Sequence, residues 1–572
     1  MAVDRVLVEK HVTVTMRDGV ETRGDLYRPA EGAPVPGIVC RTPYDKEAIG
    51  ATRVLPAPLK FAEAGYAVLV VDVRGRYSSD GVFEPFHNEG RDGYDTVEWL
   101  ATQPFCDGNV GIFGLSYYGA TTLLATREQP PSLRCAAAII TASDYFDDWT
   151  HYGGALQLGF SGTWGMGLAA AQLLREDNSV TEADAEALAL AMASPLETLA
   201  HRPLSEMPGM SIPGVAPYWA EWLEHDRRDE HWEALRLSRD YADFRVPVMH
   251  VGGWFDLFTL GTVRNFQGMH AAGVAEQRLW MGPWSHTSYE RYHGDVDFGG
   301  TAPVGLCGID VAYLAFFDEH LRGLAPEEPQ PTVRYFLMGS NEWRDATAWP
   351  PAEAREEALY LRSGGEAQSA RGDGRLEDAA AGGDEPADRY LYDPERPVPT
   401  EGGSLLQQSV GQPGPRDQSL IEARDDVLCY TTAPFEQPLT VAGPVTVDLW
   451  AVTDAPDTDW TAKLVVVQPA GRTISLCDGI RRASFRESLT DPSPVTPGEA
   501  YRYEIELGST AYRFGAGDRL RLQVSSSNFP RFDANPNMGE PSWSAVETRP
   551  AVQQVLHDAA HPSALRLWLL DE

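Results

Sequence analysis

The chain has 572 residues, 43% of them hydrophobic, with 83 acidic against 47 basic side chains and a formal net charge of −36. That length holds about two to four ordinary domains, and the apolar content excludes a disordered chain. The charge opposes binding to nucleic-acid phosphates or to an anionic membrane surface, no Lys/Arg-rich run offsets it, and Lys10, Lys46, Lys60 and Lys463 are the only lysines.

Cys40, Cys106, Cys135, Cys307, Cys429 and Cys477 are scattered, without a C-x-x-C pair. This argues against a zinc site and against a disulfide framework. The opening MAVDRVLVEKHVTV lacks the apolar segment of a signal peptide, and no apolar run reaches bilayer length. The expectation is a cytoplasmic protein.

In chain order, HVTVTM, the turn Arg17-Asp18-Gly19 and VETRGDLYRP predict a β-hairpin. PGIVCRT (36–42) and YAVLVVD (66–72) are nearly continuous apolar runs, the pattern of parallel strands buried on both faces. RDGYDTVEWLA (91–101) aligns Tyr94, Val97 and Leu100 on one helical face. NVGIFG (109–114) and LRCAAAII (133–140) add two more buried strands. Alternating strand and helix predict an α/β sheet. From about Ser143 to Tyr241 strand signal is sparse. TEADAEALALAMASPLETLAH (181–201) and EWLEHDRRDEHWEAL (221–235) predict helices, and the segment reads as an inserted cap. VPVMHVGG (246–253) and QRLWMGP (277–283) complete the sheet. Beyond about Pro351 period-two alternation predicts an all-β sandwich or jelly roll, as in Val445, Val447 and Leu449, or Leu565, Leu567 and Leu569. Residues 363–388, rich in Gly, Ala and Asp, read as a long flexible surface loop within it.

Gly114-Leu115-Ser116-Tyr117-Tyr118-Gly119 follows a buried strand and precedes a helix, the context of a nucleophile elbow. It departs from G-x-S-x-G, since Tyr118 stands where the last Gly belongs. Taken alone, a serine between glycines is usually a turn. A serine needs a base. His286, in Gly282-Pro283-Trp284-Ser285-His286, lies just past a strand. Asp256, in Gly252-Gly253-Trp254-Phe255-Asp256, lies past another. Their alternatives are a surface imidazole and a turn or helix cap. The order Ser, Asp, His is that of α/β-hydrolase triads, and all three sit where open sheets place their sites. For an oxyanion hole, the Tyr117 N–H is one candidate. The Tyr44 hydroxyl, after the strand ending in Arg41-Thr42, is another, with a simple packing role as its alternative.

These residues sit within RTPYDK, DVRGRYSSDGVF, CDGNVGIFGLSYYGA, GGWFDLF, GPWSH, FFDEHLRG, MGSNEWRDATAWP, DTDWTAKLVVVQPAGR and LCDGIRR. Together these pieces resemble the cocaine-esterase-type branch of the α/β hydrolases, which also holds X-prolyl dipeptidyl peptidases, α-amino-acid ester hydrolases and acylases. The resemblance spans nearly the whole chain. It implies an α/β-hydrolase core (1–143 and 241–350), a helical cap insertion (144–240) and a C-terminal jelly roll (351–572). It implies Ser116, Asp256 and His286 as triad and Tyr44 beside the Tyr117 amide as oxyanion hole. By matched position, Trp149, Trp164 and Phe258 line the acyl pocket and Leu406 closes it. Gln407 stands where the branch has Phe, which puts an aromatic acyl preference in question. Tyr118 stands two residues after the serine, where the amino-acid ester hydrolases carry an acid, and argues against that branch. The implied partner is a small-molecule ester, with no metal or organic cofactor required and a homodimer plausible. A peptidase or amidase of the same family is the nearest alternative, and a non-catalytic carbohydrate-binding protein the more distant one.

Overall fold

The computed structural model describes residues 5–48, 57–175 and 180–571. Its first sheet has ten strands: β1 (Val6–Thr15), β2 (Glu21–Pro29), β3 (Val35–Thr42), β4 (Ala67–Asp72), β5 (Cys106–Leu115), β6 (Leu133–Ile139), β7 (Val248–Phe255), β8 (Gln277–Ser285), β9 (Val333–Leu337) and β10 (Glu342–Ala346). Their order is β1-β2-β4-β3-β5-β6-β7-β8-β9-β10. The pairs from β4 through β9 are parallel, and the flanking pairs are antiparallel. All six residues of β4 are buried, so both faces of the sheet are covered, as its unbroken apolar run predicts. The expected hairpin is β1–β2, and Gly19 turns it at φ +87°.

Among the described residues between β6 and β7, helices joined by turns and irregular segments predominate, and the strands are two of two residues each, His151–Tyr152 and Ala155–Leu156. The helix Leu158–Gln172 is apolar and small along most of its length and is buried at eleven positions. No amphipathic period marks it in the sequence. The stretch 181–201 forms two helices, Glu182–Ala193 and Pro195–Leu199. Pro195 cannot supply the N–H that one continuous helix needs. The stretch 221–235 is likewise broken, into Pro217–Glu224 and Glu230–Glu233, because the Asp229 side chain accepts from His231 N and caps a new start.

From Ala354 onward eleven strands form a second sheet. Every one of them sends side chains into a single core, from Leu361 on the first to Leu565 on the last, so the sheet folds over on itself. The predicted alternation holds for Val445, Val447 and Leu449, all fully buried, and the same pattern recurs at Leu520, Leu522 and Val524. Leu569 is only half-buried, near the end of its strand.

Residues 363–388 are more ordered than their composition predicts. They contain the strand Arg375–Glu377, and their end is pinned by Asp388. That buried carboxylate accepts from Ser363 Oγ (2.8 Å), Ala367 N (2.8 Å), Tyr430 Oη (2.7 Å) and His557 Nε2 (3.0 Å). His557 Nδ1 lies 2.9 Å from Glu385 Oε2. With both ring nitrogens against carboxylates, His557 is held as the imidazolium. Burial pushes its pKa down, but Asp388 and Glu385 outweigh that and the net shift is upward.

A raised pKa fixes the sign of the pH effect. The stability that His557 contributes is complete below its unfolded value of about 6.5 and is lost as pH rises through the folded value. His557→Gln is therefore expected to cost about 3–5 kcal/mol at low pH, the range for breaking a buried ion pair. Urea unfolding of both proteins at about pH 6 and about pH 9 checks this, because the difference between them should shrink at the higher pH.

Candidate active site

Three parallel strands deliver the three predicted residues to one edge of the sheet. Ser116 follows β5 and caps the helix Tyr117–Arg127, with φ +58° and ψ −120°. That conformation is strained for a residue with a Cβ. It needs its neighbours small: a Cβ on Gly114 would meet Tyr118 O at 2.1 Å, and one on Gly119 would meet Thr141 Cβ at 2.8 Å. Gly119 thus supplies the close approach that G-x-S-x-G assigns to the preceding position, where Tyr118 stands. Ser116 N donates to Ile139 O at 2.8 Å, which anchors the turn to β6.

Asp256 follows β7 and His286 follows β8. The strand ends approach closely because Gly253 and Gly282 leave room for Trp284, whose atoms a Cβ would meet at 2.4 Å and 2.3 Å. His286 Nε2 lies 2.9 Å from Ser116 Oγ, and His286 Nδ1 lies 2.8 Å from Asp256 Oδ2. The other Asp256 oxygen accepts from Phe258 N at 2.7 Å. Tyr289 Oη donates to His286 O at 2.8 Å and ties down the loop. All three side chains are buried. An acceptor fixed at Nδ1 places the imidazole proton there and leaves Nε2 free to accept from the serine.

Tyr44 follows β3. Its hydroxyl accepts from Trp164 Nε1 at 2.7 Å, and burial pushes its pKa up. Indole N–H only donates, so Tyr44 uses a lone pair on Trp164 and keeps its own proton to give elsewhere. The Tyr117 side chain points away from the serine. Its hydroxyl donates to Glu89 Oε1 at 2.9 Å and accepts from Phe86 N at 2.8 Å. Its N–H is in the first helical turn, without an intrahelical acceptor.

Trp149 and Phe258 stack with ring centres 4.4 Å apart, and Phe258 meets the His286 ring edge to face at 5.4 Å. Trp164 lies 5.3 Å from Trp149, and Leu406 is half-buried against the large hydrophobic core to which these residues belong. Gln407 does not join them. It is exposed to solvent at the start of the turn Gln408–Val410. Phe86, Phe160 and Trp222 complete the aromatic cluster. Only Trp222 had a signal, the helical spacing of Tyr218, Trp219, Trp222 and Leu223.

Residues 18–288 match the model of the X-Pro dipeptidyl-peptidase (S15 family), and residues 327–566 match the X-Pro dipeptidyl-peptidase C-terminal non-catalytic domain. Cocaine esterase of Rhodococcus sp. (strain MB1 Bresler) is 38% identical over 98% of both chains. The chain belongs to this S15 family. Among solved structures, an α-amino acid ester hydrolase is 26% identical, with a TM-score of 0.82 over 99% of this chain and 96% of that one. An aminopeptidase from a marine sediment archaeon, Thaumarchaeota archaeon, shares the fold at 24% identity, with a TM-score of 0.83 over 99% and 96% of the two chains. Among the described residues no helix is long and apolar enough to cross a membrane.

Gly114→Ala is expected to push the elbow off its backbone, since the atom that the new Cβ meets is a main-chain oxygen. A displacement of about 1 Å at a nucleophile can cost about 10²-fold in rate. Ester turnover by the folded variant, with circular dichroism as the control, measures the loss.

Proposed function

We propose that this chain is a serine esterase that hydrolyses carboxylic esters, aromatic acyl esters among them, through an acyl-enzyme. The observation that carries the reading is the hydrogen-bonded chain Ser116–His286–Asp256, at 2.9 Å and 2.8 Å; Tyr44, whose ring packs on the two residues after Ser116, Tyr117 and Tyr118, has a hydroxyl proton free to donate.

Ser116 Oγ attacks the ester carbonyl while its proton passes to His286 Nε2. Asp256 fixes the imidazole tautomer and stabilises the imidazolium. Tyr44 Oη and the Tyr117 N–H hold the oxyanion. The tetrahedral species collapses, the C–O bond to the alcohol breaks, and His286 protonates the departing oxygen. Water that gives its proton to His286 then attacks the acyl-enzyme, and the acid leaves as Ser116 regains its proton. Trp149, Trp164 and Phe258 form an apolar wall for the acyl group, with Leu406 closing it.

We assign residues 144–240 as a cap on the core formed by 1–143 and 241–350, and 351–572 as a β domain. Six unpaired cysteines favour a reducing, cytoplasmic setting. A homodimer is the expected assembly, which sedimentation would test. Tyr118, where the amino-acid ester hydrolases carry an acid, disfavours substrates with a free α-ammonium, amino-acid esters and X-Pro peptides alike, because an unpaired buried charge is costly.

Hydrolysis of p-nitrophenyl acetate, butyrate and benzoate beside Ala-Pro-p-nitroanilide tests the assignment. Ester turnover should fall by about 10⁴–10⁶ in Ser116→Ala. Anilide cleavage with little ester turnover would move the chain to the peptidases. Tyr44→Phe should lower kcat by about 10²–10³, the effect of one lost oxyanion donor. Near-normal turnover there would remove Tyr44 from the mechanism.

A further inference from the structure

Beneath the elbow lies a buried polar network that takes no part in proton transfer. Arg41, on β3, is fully buried. Its Nη1 donates to Glu89 O at 2.9 Å and lies 2.8 Å from Glu89 Oε2. The other carboxylate oxygen, Oε1, accepts from Tyr117 Oη at 2.9 Å. Thr121 Oγ1, one turn further along the elbow helix, donates to Arg41 O at 3.0 Å. The helix Glu89–Ala101 reaches this position because it packs tightly on the elbow helix: a Cβ on Gly93 would meet Ala125 Cβ at 2.4 Å.

Glu89 therefore holds two chain segments at once. One is the strand end that leads, three residues after Arg41, to Tyr44. The other is Tyr117, the residue after the nucleophile. These are the two segments that carry the proposed oxyanion donors. Few other groups could bridge them, since a carboxylate has two acceptor oxygens and each partner here is a donor.

We infer that Glu89 is a positioning residue for the oxyanion hole, fixing the Tyr44 hydroxyl and the Tyr117 N–H relative to each other. The inference rests on the esterase reading above. Glu89 is buried and its oxygens are directed to Arg41 and Tyr117, so it acts through those donors without touching substrate. Its effect should then fall on the transition state, where the oxyanion exists, and spare ground-state binding.

The test is steady-state kinetics on p-nitrophenyl butyrate for Glu89→Gln and Tyr117→Phe, each alone and combined with Tyr44→Phe, with Ser116→Ala alongside. Glu89→Gln should lower kcat by about 10-fold or more and leave KM within about 2-fold. Tyr117→Phe keeps the backbone N–H and the ring and should give the same pattern more weakly. It decides the matter if Glu89→Gln does not fold. In the Tyr44→Phe background both losses should shrink, because residues acting through one donor are not additive. Wild-type kcat in the folded variants, a loss confined to KM, or a loss undiminished in the Tyr44→Phe background overturns the inference while the loss in Ser116→Ala stands. Activity that survives Ser116→Ala overturns the esterase reading and this inference with it.

Discussion

The strained backbone of Ser116 is the constraint on which the rest of the site depends. A side chain at φ +58° and ψ −120° costs about 1–3 kcal/mol and persists only where its surroundings over-determine it. Here they do so in three ways. Gly114 and Gly119 remove the Cβ atoms that would collide with Tyr118 and Thr141. Ser116 N is bonded to Ile139 O on the adjacent strand. Ser116 O accepts from Ala120 N and starts the helix. The strain lifts Oγ off the strand axis and towards the edge where β7 and β8 end. Parallel pairing then does the remaining work, since it brings the C-terminal ends of β5, β7 and β8 to the same side of the sheet.

Burial of Asp256 follows from that geometry. A carboxylate out of water is tolerated only when its oxygens are occupied, and Phe258 N and His286 Nδ1 occupy them. Phe258 thereby has two duties. Its backbone holds the acid, and its ring packs on the His286 imidazole and the Trp149 indole. Asp256, His286 and the aromatic cluster are therefore parts of one packed unit, and a change in the cluster is felt at the imidazole.

Local sequence carried the sheet and the hydrogen-bonded triad well, because both leave local marks. Unbroken apolar runs announce β3 to β8, and each of Ser116, Asp256 and His286 sits a step past such a run in a Gly-marked turn. The rest depends on partners far apart in the chain. The bond from Trp164 to Tyr44 crosses 120 residues. Asp388 and His557, which order a segment whose composition reads as flexible, are 169 apart. No local pattern encodes such pairs. Helix ends failed for a different reason: Ser194-Pro195 and Asp229 interrupt stretches whose average propensity is helical, and a single proline or cap outweighs an average.

The Trp164–Tyr44 bond links pocket and chemistry in a way that neither residue alone would suggest. A tyrosine hydroxyl has one proton and can direct it towards any acceptor within reach. With the indole N–H already on one lone pair, the proton is kept off that side, and the burial that keeps the phenol neutral also keeps the proton in place. The orientation of the proposed oxyanion donor is thus set from the aromatic cluster around Trp164. Trp164 is itself held by stacking on Trp222 at 5.3 Å and on Phe160 at 5.5 Å, so an acyl group packed against it meets a rigid surface. Two rigid supports then bear on one donor: Trp164 from the segment between β6 and β7, and the Arg41–Glu89 pair from beneath the sheet edge. A donor held from both sides needs little reorganisation when negative charge develops on the substrate oxygen, and it is low reorganisation that makes a hydrogen bond in a dry site effective in the transition state.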